Sequence, residues 1–157
     1  MIDLKIKKTR ADAQIPTQAT PGSAGLDMYC VDWNYNEPRT SEYIEYHTGI
    51  SIEIPEGYVG LIFPRSSITL YDIMLKNSVG VIDSDYRGEI LVRFHALREN
   101  GIEMYTKGDK IAQLVIVPVP TVNIIEVNEL SDTQRGIGGF GSTDLKEIKT
   151  LIDEING

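Results

Sequence analysis

The stretch Ile50-Ser51-Ile52-Glu53-Ile54-Pro55-Glu56-Gly57-Tyr58-Val59-Gly60-Leu61-Ile62-Phe63 decides the fold class. Ile50, Ile52 and Ile54 alternate with polar residues, the period of two expected where successive side chains point to opposite faces of a strand. Pro55-Glu56-Gly57 then breaks the run with turn chemistry, and Tyr58 to Phe63 begins a second apolar segment. The same pattern extends outward in both directions. Ile2, Leu4 and Ile6 alternate with polar residues near the N-terminus and predict a first strand in place of a secretory signal. Downstream, Ser78–Ile82, Glu89–Ala96, Lys110–Pro118 and Val122–Glu126 are strand candidates. Turns separate them at Asp85-Tyr86-Arg87-Gly88, Glu99-Asn100-Gly101 and Lys107-Gly108-Asp109. Short strands at this spacing predict an all-β sandwich or barrel. One segment departs from it: from Asp144 to Asn156, Leu145, Ile148, Leu151, Ile152 and Ile155 share a helical face, which predicts a short C-terminal amphipathic helix. The expected organisation is one β domain over 1–143, with 144–157 as its helical tail.

The chain has 157 residues, enough for one domain with its own core. No apolar run approaches the roughly 18 residues that span a bilayer, so no membrane role is expected. A net charge of −8 repels nucleic-acid phosphates and argues against nucleic acid as the partner. Cys30 is the only cysteine, so no intrachain disulfide can form, which fits a reducing, cytoplasmic setting (a host cytosol if the source is a phage or virus). His47, His95 and Cys30 are scattered without the close spacing of zinc ligands.

Five segments are too rich in Gly, Ser, Asp and Arg to be strand filler: Ala24-Gly25-Leu26-Asp27, Pro64-Arg65-Ser66-Ser67, Gly80 to Gly88, Gly108-Asp109-Lys110-Ile111-Ala112-Gln113-Leu114, and Arg135 to Thr143. In the last, glycines at 136, 138, 139 and 141 free the backbone to turn several N–H groups toward one anion. Arg135 adds a bidentate phosphate donor, Ser142 and Thr143 add hydroxyls, and Phe140 offers a flat face to a base. The segment lacks the Walker spacing, and a flexible glycine-rich tail is the competing reading. Arg65-Ser66-Ser67 suits a phosphate or an ordinary surface turn. Gly80 to Gly88 reads as a hairpin with Asp83 and Asp85 on one face near its tip. Asp83 is then either a proton acceptor for water or a backbone turn residue.

In their order and separation these segments resemble the five motifs of the homotrimeric dUTPase family, over residues 24 to 143. Gly-Val-Ile-Asp-Ser-Asp-Tyr-Arg-Gly and Arg-Gly-Ile-Gly-Gly-Phe-Gly-Ser-Thr carry most of the resemblance. It implies a jelly-roll-like β fold, three active sites shared among three chains, and hydrolysis of dUTP to dUMP and pyrophosphate. That reaction keeps uracil out of DNA and supplies dUMP for thymidylate synthesis. By this resemblance Asp83 is the general base for an in-line attack of water on the α-phosphorus and also binds the sugar 3′-hydroxyl. Tyr86 packs where a 2′-hydroxyl would sit, and Asn77 with the backbone of Val79, Gly80 and Val81 reads uracil. Arg65, Ser66, Ser67 and Gln113 hold the phosphates from a second subunit. Arg135, Gly141, Ser142 and Thr143 close over them while Phe140 stacks on the base. The implied cofactor is Mg²⁺, carried on the phosphates and reached by Asp27 through water.

The chain departs from the pattern in the residues after Thr143, where many relatives end, and in 68–76, which lack a glycine often found there. A dCTP deaminase of the same fold would carry a catalytic Glu where this chain has Arg93. A dUTP-sensing regulatory protein is the alternative from another class, since an arm ordered by ligand is a natural switch. A capsid-like structural jelly roll would have no use for the last motif.

Overall fold

The structure, a computed structural model, describes residues 2–36, 42–97 and 104–139. Among them the chain forms β1 (Lys5–Lys8), β2 (Leu26–Tyr29), β3 (Asp32–Asn36), β4 (Tyr43–Glu53), β5 (Tyr58–Phe63), β6 (Ile73–Leu75), β7 (Gly80–Ile82), β8 (Glu89–Ala96) and β9 (Lys110–Pro118). The only helical piece among them is one 3₁₀ turn at Ser66–Leu70. All strand pairs are antiparallel. One sheet runs β1-β4-β8-β6, with β3 also paired to β4, and the other runs β2-β9-β5-β7. The expected all-β sandwich is the observed architecture. No helix among the described residues is long and apolar enough to cross a membrane. The C-terminal helix expected over 144–157 lies outside the described residues.

The alternating residues supply the core, as the pattern requires. Ile50, Ile52 and Ile54 are buried, joined by Ile44, Tyr46, Ile90, Val92 and Phe94 of the same sheet and by Met28, Ile62, Ile111 and Leu114 of the other. β4 extends further back than the isoleucine pattern indicates, because its inward positions there include Tyr46 and Thr48. The Thr48 hydroxyl is satisfied by donating to the carbonyl of Ile90 at 2.7 Å, so a polar residue holds a core position at little cost. The register with β8 shifts between His47 and Ser51, where β4 exchanges β3 for β1 along its other edge while it goes on pairing with β8.

Two expectations are corrected. Gly80 to Gly88 is not a hairpin: β7 pairs with β5, whereas β8 pairs with β4 and β6, so the segment crosses from one sheet to the other. Asp83 therefore follows the end of β7 instead of sharing a strand face with Asp85. Its carbonyl accepts the Tyr86 N–H at 3.1 Å and closes a turn. Val122–Glu126 forms no strand, because no described residue pairs with it; Val122, Ile124 and Ile125 are exposed. Residues up to Thr121 make one unit and those from Val122 onward another.

Ahead of β7 lies the one described non-glycine residue with positive φ, Ser78 at +61°. The Val79 N–H donates to the carbonyl of Asn77 at 2.6 Å across it, an i→i+2 turn of the strained kind. Left-handed backbone costs an L-residue about 1–2 kcal/mol, and the Ser78 side chain is exposed. Ser78→Gly should therefore raise the stability by about 0.5–1 kcal/mol, after allowing for glycine's freedom in the unfolded chain. A urea midpoint that falls would show that the serine side chain holds the turn.

Candidate active site

The sequence-predicted residues gather in two places. The first is a cavity of about 370 Å³ between the two sheets, with Ile62 and Ile82 on one side and Leu75, Ile90 and Val92 on the other. Asn77, Gly80, Val81, Asp83 and Tyr86 line it, so Asn77 and four residues of the Gly80–Gly88 segment meet at one hollow. Val79 is held beside them by its bond to Asn77. Among the described residues β7 is the edge strand of its sheet, with β5 as its one partner, so the other side of its backbone is open to pair with a base edge. The Asp83–Glu89 turn is braced: Arg87 Nη1 donates to the carbonyls of Ser84 at 2.7 Å and Tyr86 at 2.9 Å, and the Tyr86 hydroxyl donates to that of Glu89 at 3.0 Å. Arg93 also reaches this cavity, with its guanidinium Nε 2.7 Å from Glu45 Oε2 and over the Tyr43 ring.

The second place is built from three strands. Asp27 on β2 is 6 % exposed and sits opposite Gln113 on β9. Its Oδ1 accepts from Arg65 Nε at 2.7 Å, and Lys110 Nζ stands 2.7 Å from Oδ2. Gln113 donates through Nε2 to the carbonyl of Pro64 at 3.0 Å, tying β9 to the segment that carries Arg65, Ser66 and Ser67. Gly25 is needed by close approach, because a Cβ there would stand 2.5 Å from Gln113 Oε1 and 3.0 Å from its Cβ. Asp109 serves the turn: its carboxylate accepts from the Thr106 N–H at 2.6 Å and from the Thr106 hydroxyl at 2.9 Å. Lys110, not singled out from the sequence, is thus the second cation on Asp27. No sequence signal joins it to a carboxylate on a strand so distant along the chain.

Burial works against ionisation of Asp27, but the pull of Lys110 and then Arg65 outweighs it and holds the carboxyl below its ordinary value of 3.8. A folded-state value below the unfolded one means that folding favours the ionised form. The stabilisation is fully present above about pH 3.8 and lost as pH falls through the folded value. Asp27→Asn should cost about 1–3 kcal/mol at pH 7, since two cations lose their acceptor. The gap between wild type and variant should close under acid. Urea midpoints for both proteins between about pH 5 and pH 2.5 check this, and a gap constant over that range would remove the ion pair as the cause.

Among the described residues no group of three Asp, Glu, His or Cys converges to hold a metal directly. Asp27 Oδ2 is 2.7 Å from Lys110 Nζ and Oδ1 is 2.7 Å from Arg65 Nε, so this single carboxylate already faces two cations. That donor set fits a Mg²⁺ carried by a ligand's own oxygens and touched through its hydration shell, and it does not fit an all-protein cage.

The two places do not merge within one chain: neither Asp27, Arg65, Lys110 nor Gln113 lines the cavity at Asp83. In the second unit, Arg135 donates through Nε to the carbonyl of Gly138 at 2.9 Å, and Gly136 has φ +54°. Phe140, Gly141, Ser142 and Thr143 lie outside the described residues.

Residues 11–144 match the family model described as dUTPase. The deoxyuridine 5'-triphosphate nucleotidohydrolases of a Hydrogenobaculum species and of Trichodesmium erythraeum are 49% and 48% identical to the chain. They align with 91% and 89% of it and with 99% and 97% of their own lengths. Among solved structures, the Staphylococcus bacteriophage 80alpha dUTPase with dUpNHpp aligns at a TM-score of 0.74 and 28% identity, covering 90% of this chain and 98% of that one. A mutant dUTPase from phage phi11 of S. aureus, described with a structural Mg(II) ion, aligns at 0.68 and 26% identity over 82% of this chain and 98% of its own. The chain belongs to the dUTPase family.

Proposed function

We propose that the chain hydrolyses dUTP to dUMP and pyrophosphate, and the observation that carries this reading is the single cavity lined by Asn77, Gly80, Val81, Asp83 and Tyr86. Uracil enters between the sheets and is read by Asn77 and the unpaired edge of β7. Cytosine would leave buried donors and acceptors mispaired, which discriminates far more strongly than a missing methyl group does. Tyr86 lies against the sugar and excludes a 2′-hydroxyl. Asp83 takes a proton from water as the water oxygen forms its bond to the α-phosphorus. The bond from the α-phosphorus to the bridging oxygen breaks, and pyrophosphate leaves with the electron pair.

The cations lining this cavity are engaged elsewhere, Arg93 with Glu45 and Lys76 with the carbonyl of Glu42, so the phosphate chain needs others. Arg65 of a second subunit supplies one, Ser66, Ser67 and Gln113 add neutral hydrogen-bonding groups, and the site is completed in a homotrimer. When bound on the phosphates, Mg²⁺ neutralises part of their charge. Asp27 would hold it through water. Arg135, Phe140, Gly141, Ser142 and Thr143 close over the ligand from a third chain and keep out water other than the nucleophile. Domain 1–143 carries all these groups, with 144–157 as its tail, and the reaction belongs in the cytoplasm.

The test is product analysis with Mg²⁺ and dUTP, dCTP, dTTP or UTP supplied separately. dUMP and pyrophosphate from dUTP alone are expected. Deaminated product from dCTP would move the reading to a deaminase, a chemistry that the Arg93–Glu45 ion pair does not favour. A second reading draws on the 80alpha dUTPase, described as controlling transfer of virulence genes by a proto-oncogenic G protein-like mechanism. If this chain also signals, partner capture will differ with and without a non-hydrolysable dUTP analogue, and identical profiles would remove the idea.

A further inference from the structure

We propose that Gly88 is a positioning residue for Tyr86: its lack of a side chain is what lets the tyrosine ring fold back over the turn into the place where it tests the sugar. The inference rests on the reading of Tyr86 as the group that excludes a 2′-hydroxyl. A Cβ built on Gly88 would stand 2.5 Å from Tyr86 Cζ and 3.0 Å from Cε2, closer than atoms can come, and would also meet the hydroxyl oxygen. Gly88 has no positive φ, so its backbone conformation is open to alanine, and the three heavy atoms nearest a Cβ there all belong to the Tyr86 side chain.

What would give way is the ring. Tyr86 is 43% exposed and can swing toward solvent, whereas β8 begins one residue after Gly88, at Glu89, and is fixed in its sheet. Swinging out would break the Tyr86 hydroxyl's bond to the carbonyl of Glu89, 3.0 Å long in this structure. That carbonyl belongs to a residue anchored on its other side, because the Glu89 carboxylate accepts from the Gly49 N–H at 2.7 Å. The ring is thus set by an anchor on one side and an absent Cβ on the other. With alanine at 88 the fold remains, the ring moves, and the space beside C2′ opens.

The experiment measures kcat/KM for dUTP and UTP, together with the melting temperature, in wild type, Gly88→Ala, Tyr86→Ala and the double variant. Gly88→Ala is expected to melt close to wild type and to lose dUTP-over-UTP preference by roughly ten- to two-hundredfold, the range that a misfit of about one methylene produces. In the Tyr86→Ala background the same substitution should leave the ratio unchanged, because the ring it displaces is gone; this non-additivity is the readout a merely structural role would not give. If Tyr86→Ala loses the preference and Gly88→Ala keeps it, the positioning role is overturned. An equal loss from Gly88→Ala with and without the ring overturns it too, as does loss of folding in both backgrounds, since the backbone and not the ring would then need glycine. If Tyr86→Ala itself leaves the ratio untouched, the reading of Tyr86 fails first and the inference falls with it.

Discussion

Asp83→Asn should lower kcat by about 10²–10⁴-fold while the affinity for dUTP stays within a few-fold of wild type. The amide keeps the shape of the carboxylate and can still accept a hydrogen bond from a sugar hydroxyl, but at neutral pH it cannot take a proton from water. The substitution disturbs little else. Asp83 is exposed, and it closes its turn through the main-chain oxygen that accepts from Tyr86, a bond that asparagine retains. Stability should therefore change by no more than about 0.5 kcal/mol, as for a surface substitution away from special features. Single-turnover kinetics and calorimetric titration with a non-hydrolysable dUTP analogue separate the two effects. A near-normal kcat would remove Asp83 as the base and return the segment to the bland reading, a turn in which the aspartates serve the backbone.

Part of the fold could be read from the chain because apolar alternation is a direct record of burial. β5, β8 and β9 have the bounds that the residue pattern gives them, and each faces the core with alternate side chains. β2, β3 and β6 escape that reading for a physical reason: they are three to five residues long, too short for a period of two to stand out. Trp33 and Tyr35 on the edge strand β3 are partly exposed and so carry no clear inward face. Alternation also says nothing about partners. Gly80 to Gly88 suggests a hairpin because its two apolar flanks are close in sequence, yet in a sandwich adjacent strands often belong to opposite sheets. Val122–Glu126 has a strand's pattern and no strand paired with it among the described residues.

The candidate site divides in the same way. Residues clustered in sequence, such as Asn77 to Tyr86, could be located from composition and resemblance, and they share a cavity. The triad of Asp27, Arg65 and Lys110 could not be paired beforehand, since its members come from β2, the segment two residues past β5 and the start of β9, and the β2-β9 and β5-β9 pairings unite them.

That separation of the two clusters leads to the second large effect. If Asp83 of one subunit works with Arg65 of another, two inactive variants should rescue each other. Asp83→Asn and Arg65→Ala would each be nearly dead as homotrimers, the first for want of a base and the second for want of a phosphate ligand. Mixed and reassembled in equal amounts into the trimer proposed above, they would give sites that draw Asp83 and Arg65 from different chains. Each of those residues is intact with a chance of about one half, so about a quarter of all sites contain both, and the mixture should recover about a quarter of wild-type kcat per site. Arg65→Ala also leaves Asp27 with Lys110 as its remaining cation, so the variant's melting temperature must be checked before mixing. Were both residues to act within one chain, every chain in the mixture would carry one defect and no site could be whole, so activity would stay at the level of the separate variants. The same mixing with Asp83→Asn and Asn77→Ala is the control, because both residues line one cavity in one chain and no arrangement of subunits can bring their intact copies together.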